Sequence, residues 1–287
     1  MAKWNQHPDR DQEWKDEEQG RIGEERFRRE HECEFIIYNE TLIDSLKLAT
    51  LKYTDVLYRQ GEVRWYKRPT ADKTYVLALD PAAGTGGDNA AIQVIELPTM
   101  TQVAEWCHNK TPVEGQIRVM REILKEIDQY GAKEIYWTVE NNSIGEAALV
   151  VIRDTGEENF PGNFLHDPIK VQGKRGRKGF HTSSKSKLDG CITLKRFVEQ
   201  DKIKLFSDAC IRELKTFVAR GNSFSAQPGE TDDLVMSLII CCRMITYIAS
   251  FEDDIFEVVN QNIGGDNNYD DDKPIDEYDE PMPIGLL

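Results

Sequence analysis

The sequence has no apolar stretch long enough to cross a bilayer, which argues against an integral membrane protein. Its longest apolar run, Leu234 to Ile248, is interrupted by Ser237 and Arg243 and falls short of the roughly 20 residues a span needs. It reads as a buried helix. The opening Met1-Ala2-Lys3-Trp4-Asn5-Gln6 lacks the apolar centre of a secretory signal, so a cytoplasmic location is expected. There is no CxxC pair among Cys33, Cys107, Cys191, Cys210, Cys241 and Cys242. With Cys241 and Cys242 adjacent in an expected helix, reduced core thiols are favoured over zinc ligands or disulfides. A phosphate loop of the form GxxxxGKS or GxxxxGKT is missing as well. Gly84-Thr85-Gly86-Gly87 lacks the lysine and Gly173-Lys174-Arg175-Gly176 lacks the spacing, so no ATP hydrolysis is expected of this chain alone.

Positive charge is also scarce overall, with a formal net charge of -15 over 287 residues. The imbalance is local. Glu252 to Glu280 holds twelve acids against one base, Lys273, and accounts for -11, leaving -4 for the rest. Within that mildly acidic body, Lys170 to Lys187 carries Lys170, Lys174, Arg175, Arg177, Lys178, Lys185 and Lys187 and no acid. Such a block can bind phosphate despite the total charge.

What is present is a regular α/β pattern. The 39% hydrophobic content is enough for a sizeable core. Residues 1–40 form a charge-rich lead-in, with Asp11 to Glu32 helical or partly so, and residues 41–72 read as a linker packing on the main domain. From residue 73 to 251 the elements alternate. Thr74 to Leu79, Ala90 to Leu97 and Gln102 to His108 are expected strands of an antiparallel meander. Thr111-Pro112-Val113-Glu114 has capping-box spacing, and a helix with Ile117, Met120, Ile123, Leu124 and Ile127 on one face follows. Glu134 to Val139 is a strand, and Ser143 with Glu146 is expected to cap the next helix. Ser186 to Gln200 is helical, Ile203 to Phe206 a short strand, Asp208 to Thr216 a helix, and Phe217 to Ala226 extended. Thr231 is expected to cap a long helix to about Ala249. The sum is a mixed α/β sheet with helices on both faces. Residues 252–287 make an acidic tail, expected to be disordered in isolation.

Acids stand at three junctions of this pattern. Asp80 ends the first main strand, Glu140 ends the strand after the first helix, and Asp232 and Asp233 begin the last long helix. Unpaired buried carboxylates cost several kcal/mol, so acids at the ends of Val-, Leu- and Ile-rich strands need a compensating partner. A divalent cation is the simplest one. Mg2+ takes a few carboxylates plus water and phosphate oxygens, and two ions about 4 Å apart can drive phosphodiester hydrolysis. The plain alternative is solvated loop acids and a helix N-terminus stabilised by Asp232 and Asp233. Gly84, Gly86 and Gly87 read as a tight hairpin loop, Asp88 as a turn residue, and Asn141 and Asn142 as either phosphate or cap contacts.

Lys174, Arg175, Arg177, Lys178, His181, Lys185 and Lys187, with Thr182, Ser183 and Ser184, combine cations, hydroxyls and flexible backbone suited to phosphate oxygens and not to base edges. They lead into a helix N-terminus at Ser186 that can also hold phosphate. A solvated charged loop is the alternative. The acidic string Asp270-Asp271-Asp272 could occupy that groove, dock on a basic protein, or serve solubility alone.

The ordered series LALDPAAGTGGDNAAIQVIEL, IYWTVENNSIGEAAL, GFHTSSKSK and PGETDDLVMSLII resembles the C-terminal nuclease domain of the large terminase subunit of tailed bacteriophages, especially the T-even type. The likeness spans Trp4 to Ala249. Gly23-Glu24-Glu25-Arg26-Phe27 and Glu30-His31-Glu32-Cys33-Glu34-Phe35 look like the stretch joining the packaging ATPase to the nuclease. The resemblance implies a ribonuclease-H-like fold and a metal-dependent endonuclease cutting concatemeric double-stranded DNA during genome packaging. It implies Asp80, Glu140 and one or both of Asp232 and Asp233 as catalytic metal-binding acids, with Mg2+ or Mn2+ as cofactor, in two ions. Implied partners are DNA, the ATPase portion of the motor, a portal protein and a small terminase subunit, with no membrane, in the cytoplasm of an infected bacterial host. The ATPase half itself is missing, consistent with a fragment or a split gene. Three other readings stay open: a non-catalytic DNA-gripping and docking module, a junction resolvase or transposase on the same fold, and an actin-like phosphotransferase.

Overall fold

A computed structural model describes residues 11–22, 41–167 and 178–260. The strands are β1 (Tyr58–Gln60), β2 (Val63–Trp65), β3 (Thr74–Asp80), β4 (Ala90–Leu97), β5 (Thr101–His108), β6 (Glu134–Val139) and β7 (Asn163–Phe164), with a separate hairpin of β8 (Phe217–Arg220) and β9 (Ser223–Ala226). Helices are α1 (Gln12–Ile22), α2 (Ser45–Thr50), α3 (Val113–Gln129), α4 (Ser143–Thr155), α5 (Ser184–Glu199), α6 (Asp208–Thr216), α7 (Asp233–Ile248) and α8 (Asp253–Asn260). The first seven strands form one sheet in the order β1-β2-β5-β4-β3-β6-β7. β3, β4 and β5 are the expected antiparallel meander, and β6 joins β3 in parallel after the α3 crossover.

The pleat explains the layers. Successive strand residues face opposite sides, so Tyr75, Leu77 and Leu79 of β3 pack with Ile117, Met120 and Ile123 of α3 and Ala148 of α4. Val76 and Ala78 instead join a second core with Leu194 of α5 and Val235, Leu238 and Ile239 of α7. With both faces covered, β3 carries five consecutive buried residues, which is why it reads as a continuous apolar run rather than an alternating one. α7 is fixed to the sheet by the Ser237 hydroxyl, which donates to Ala78 O at 2.8 Å.

Several boundaries differ from expectation. The segment 41–72 does more than join and pack: Leu42, Ile43 and Leu48 are buried in the core shared with α7, and β2 pairs with β5 to extend the sheet. Ile203 to Phe206 forms no strand, because a single bridge between Thr101 and Lys204 is all the pairing it makes. Thr111 does not cap α3; its hydroxyl meets His108 Nδ1 at 2.6 Å, and Pro112 stands at the N-cap. Asn142 rather than Ser143 caps α4, accepting from Gly145 N at 2.9 Å. α5 starts earlier than expected, at Ser184, with Ser183 and Ser186 forming a reciprocal box. The expected tail is ordered through α8, where Ile255 and Val259 are buried; helical spacing of apolar residues overrides the acidic composition there. The remainder of the tail and most of the lead-in lie outside the described residues. Among the described residues no single helix is long and apolar enough to cross a membrane. Cys191, Cys210, Cys241 and Cys242 are free and buried, as expected of core thiols, and Cys107 is free and partly buried.

Candidate functional site

The β3 and β6 ends are adjacent. Leu79 pairs with Val139 in the parallel ladder, the Glu140 N–H donates to Leu79 O at 2.9 Å, and neighbouring strands lie about 4.8 Å apart. Asp80 shares pleat parity with Val76 and Ala78, and Glu140 with Tyr136, residues of the core on the α7 side. Both acids therefore turn toward that side, where α7 begins with Asp232 at its N-cap and Asp233 as its first residue.

Asp80 interacts with all three of the other carboxyl groups. Burial pushes the Asp80 carboxyl well above the usual carboxylate range, and Glu140, Asp233 and Asp232 push it further in that direction. Asp233 is also raised, first by burial and then by Asp232 and Asp88, against the opposing Asn89 hydrogen bond. Asn89 Nδ2 donates to Asp233 Oδ2 at 2.7 Å, and Asp232 Oδ2 accepts from Ala226 N at 3.1 Å. Asn142, while capping α4, also donates to Glu140 Oε2. Gly145 permits this close fit, since a Cβ there would strike the Glu140 carbonyl oxygen. The glycine loop after Asp80 behaves as expected of a tight turn. Gly84 and Gly86 take φ of 72° and 96°, and a Cβ on Gly84 would press on the Thr111 carbonyl. Gln116 braces the start of that loop, donating to Ala82 O at 2.6 Å and accepting from Ala82 N at 3.3 Å.

An all-oxygen, strongly anionic donor set suits a hard divalent cation such as Mg2+ or Mn2+ and suits thiophilic metals poorly. The site is gathered but open: among the described residues no three His, Cys, Asp or Glu side chains already close around one point as metal ligands do.

The expected phosphate-binding block is only partly described. Lys174, Arg175 and Arg177 lie outside the described residues. Lys178 is paired with Glu157 at 2.8 Å, Lys187 lies over the Phe217 ring at 5.7 Å, and Lys185 is exposed. His181 is tied into the fold: its N–H donates to Asp167 Oδ2 at 2.6 Å and its Nδ1 lies 2.9 Å from Asn141 O. Asp167 in turn accepts from Arg243 Nη2 at 2.7 Å. Reading the sequence missed this Asp167–Arg243 brace, as it missed Asn89 and Glu213; each contact spans elements far apart in the chain and leaves no local pattern. Glu213, buried on α6, has its carboxyl pushed up to about 7, chiefly by burial.

Sheet order, the crossover and an acidic rim where β3, β6 and α7 meet define a ribonuclease-H-like α/β domain. The model of the family described as "Terminase RNaseH-like domain" matches residues 77–239, and the chain belongs to that family. Among solved structures, the large terminase nuclease of thermophilic phage G20c with bound magnesium aligns with a TM-score of 0.55 at 16% identity, covering 72% of this chain and 98% of that one. The same nuclease with bound cobalt gives the same values. The large terminase nuclease domain of Thermus phage P74-26 aligns with a TM-score of 0.50 at 17% identity, covering 68% of this chain and 91% of that one. At these identities the structural likeness establishes the fold.

Proposed function

We propose that this chain is a metal-dependent endonuclease that cuts concatemeric double-stranded DNA during phage genome packaging. The observation that carries the reading is the meeting of Asp80, Glu140, Asp232 and Asp233 at one rim of a terminase-family domain, where Asp80 and Asp233 are repelled by neighbouring acids and no basic side chain counters that repulsion. By this reading those four acids are the catalytic metal ligands for Mg2+ or Mn2+, in two ions, and relatives carrying magnesium or cobalt support it. The chemistry a divalent cation supplies when bound is activation of water and neutralisation of charge on the scissile phosphate. Asn89 and Asn142 orient Asp233 and Glu140 through the hydrogen bonds described above. Gln116 keeps the loop after Asp80 from collapsing across the rim.

Lys174, Arg175, Arg177, Lys178, His181, Lys185 and Lys187 are proposed to track the DNA backbone without reading sequence. A surface pair such as Lys178–Glu157 is worth less than about 1 kcal/mol, so phosphate can displace it. The proposed partners are the ATPase portion of the motor, a portal protein and a small terminase subunit, in the cytoplasm of an infected bacterial host. The division into a lead-in over residues 1–40 that meets the motor, a connecting segment over 41–72, a nuclease domain over 73–251 and an acidic tail over 252–287 belongs to the same proposal.

The test is nicking of supercoiled plasmid with EDTA, Mg2+ or Mn2+. Cleavage should need the metal and fall at least about 100-fold in Asp80→Ala and Glu140→Ala, a loss of some 3 kcal/mol. Undiminished cutting by both variants would refute the assignment. The open arrangement of the acids favours one second reading, a DNA-gripping module without catalysis. It requires salt-sensitive binding and no metal-dependent nicking.

A further inference from the structure

We infer that Glu213, on a different helix from the rim acids, caps α7 from outside and so leaves Asp232 and Asp233 free to face Asp80. The inference rests on the reading of the rim as a divalent-ion site. A helix opening on Asp-Asp ordinarily spends a carboxylate on its own first N–H groups. α7 does not, because Asp232 occupies the N-cap without making a side-chain cap bond. Its Oδ2 reaches sideways to Ala226 N, and Asp233 Oδ2 is held by Asn89. Thr231, the other local candidate, donates its hydroxyl to Glu213 Oε1 at 2.9 Å. The N–H that a cap would take, that of Val235, donates to Glu213 Oε2 at 3.0 Å.

One carboxylate thus grips the chain on both sides of the Asp232–Asp233 pair. Glu213 is 8% exposed, on a short helix whose neighbours Cys210, Ile211 and Leu214 are buried, so its head has little freedom to wander. Glu213 is therefore a positioning residue, acting through α7 and not by touching an ion. Groups that orient ligands from behind typically carry about 10- to 100-fold in metal affinity.

The test is equilibrium Mn2+ binding by the full chain, followed by electron paramagnetic resonance, with hydrogen exchange at the first turn of α7 measured alongside. Glu213→Ala should weaken Mn2+ binding by about 10-fold or more and speed exchange at Val235. Glu213→Gln should restore both, because its amide can accept from Val235 N–H and donate to the Thr231 hydroxyl. Mn2+ binding by Glu213→Ala equal to that of the parent would overturn the inference. Asp80→Ala separates the two layers. Equal Mn2+ uptake by the parent and Asp80→Ala would overturn the rim reading itself, and unchanged exchange in Glu213→Ala would overturn the capping. If Glu213→Ala does not fold, Glu213→Asp keeps the charge, withdraws the oxygens by one methylene, and must show the same losses in milder form.

Discussion

Two groups of acids sit in the same sheet and are treated in opposite ways. Glu96 on β4 is fully buried and accepts from Lys67 Nζ at 2.7 and 2.8 Å, from the Thr99 hydroxyl at 3.0 Å and from the Tyr75 hydroxyl at 3.2 Å. Burial alone would raise its carboxyl, yet the Lys67, Thr99 and Tyr75 contacts hold it below the usual range. Glu105 on β5, also buried, lies 3.3 Å from Arg64 and accepts from the Tyr66 hydroxyl at 2.7 Å. At the other end of the sheet Asp80 faces only further acids and is pushed up by every one of them. The fold balances acids where they serve structure. Around Asp80 the interacting groups are all acids, and of the rim acids Arg243 acts on Glu140 alone.

That contrast predicts opposite signs for similar substitutions. Glu96→Ala strips Lys67 and the Thr70, Tyr75 and Thr99 hydroxyls of an acceptor and should destabilise the chain most. Breaking a fully buried pair costs about 3–5 kcal/mol; with Lys67 37% exposed, about 2 kcal/mol is expected in a denaturant titration. Asp80→Asn should do the reverse in EDTA at pH 8 and raise stability, since it removes a buried carboxylate that three further acids repel. A loss of stability in Asp80→Asn would place Asp80 among the structural acids.

pH sharpens the same contrast. Because the folded-state Glu213 carboxyl is raised to about 7, its contribution is full below the unfolded value near 4.5 and is lost as pH rises from there to about 7. Metal-free stability should therefore decline across that window, by at most about 1.4 kcal/mol per pH unit from this group. Denaturation curves at pH 5, 6 and 7 should flatten in Glu213→Gln; parallel slopes in the two proteins would argue against it. The smallest effect is expected at Lys178, whose exposed partner Glu157 makes Lys178→Ala worth under about 0.5 kcal/mol in thermal melts.

Much of this organisation is legible in the sequence because it is written in short-range periodicity. The runs from Thr74 to Leu79 and Glu134 to Val139 mark buried strands, and the acids that end them fall at one rim because parallel neighbours share a register. Long-range pairing is not written that way. Val63-Arg64-Trp65 is too short to announce that it extends the sheet; beyond its hairpin with β1, its partner in the sheet is β5, some 40 residues later. Cap positions slipped by one where two candidates adjoin, as at Asn142 and Ser143, since spacing alone does not say which hydroxyl or amide turns inward. Glu213 reads locally as one more acid on an amphipathic helix; its role exists only once α7 lies against α6.

The most direct measurement is the denaturant midpoint of the chain with and without Mn2+, run beside Asp80→Asn. A ligand that binds only the folded state stabilises it by RT ln(1 + [L]/Kd), about 2.7 kcal/mol at 100 times Kd. Unbalanced rim acids require the parent midpoint to rise with Mn2+ and the Asp80→Asn midpoint to stay where it is. A parent chain indifferent to Mn2+, or one stabilised equally with and without the Asp80 carboxylate, would mean that no divalent ion completes this rim.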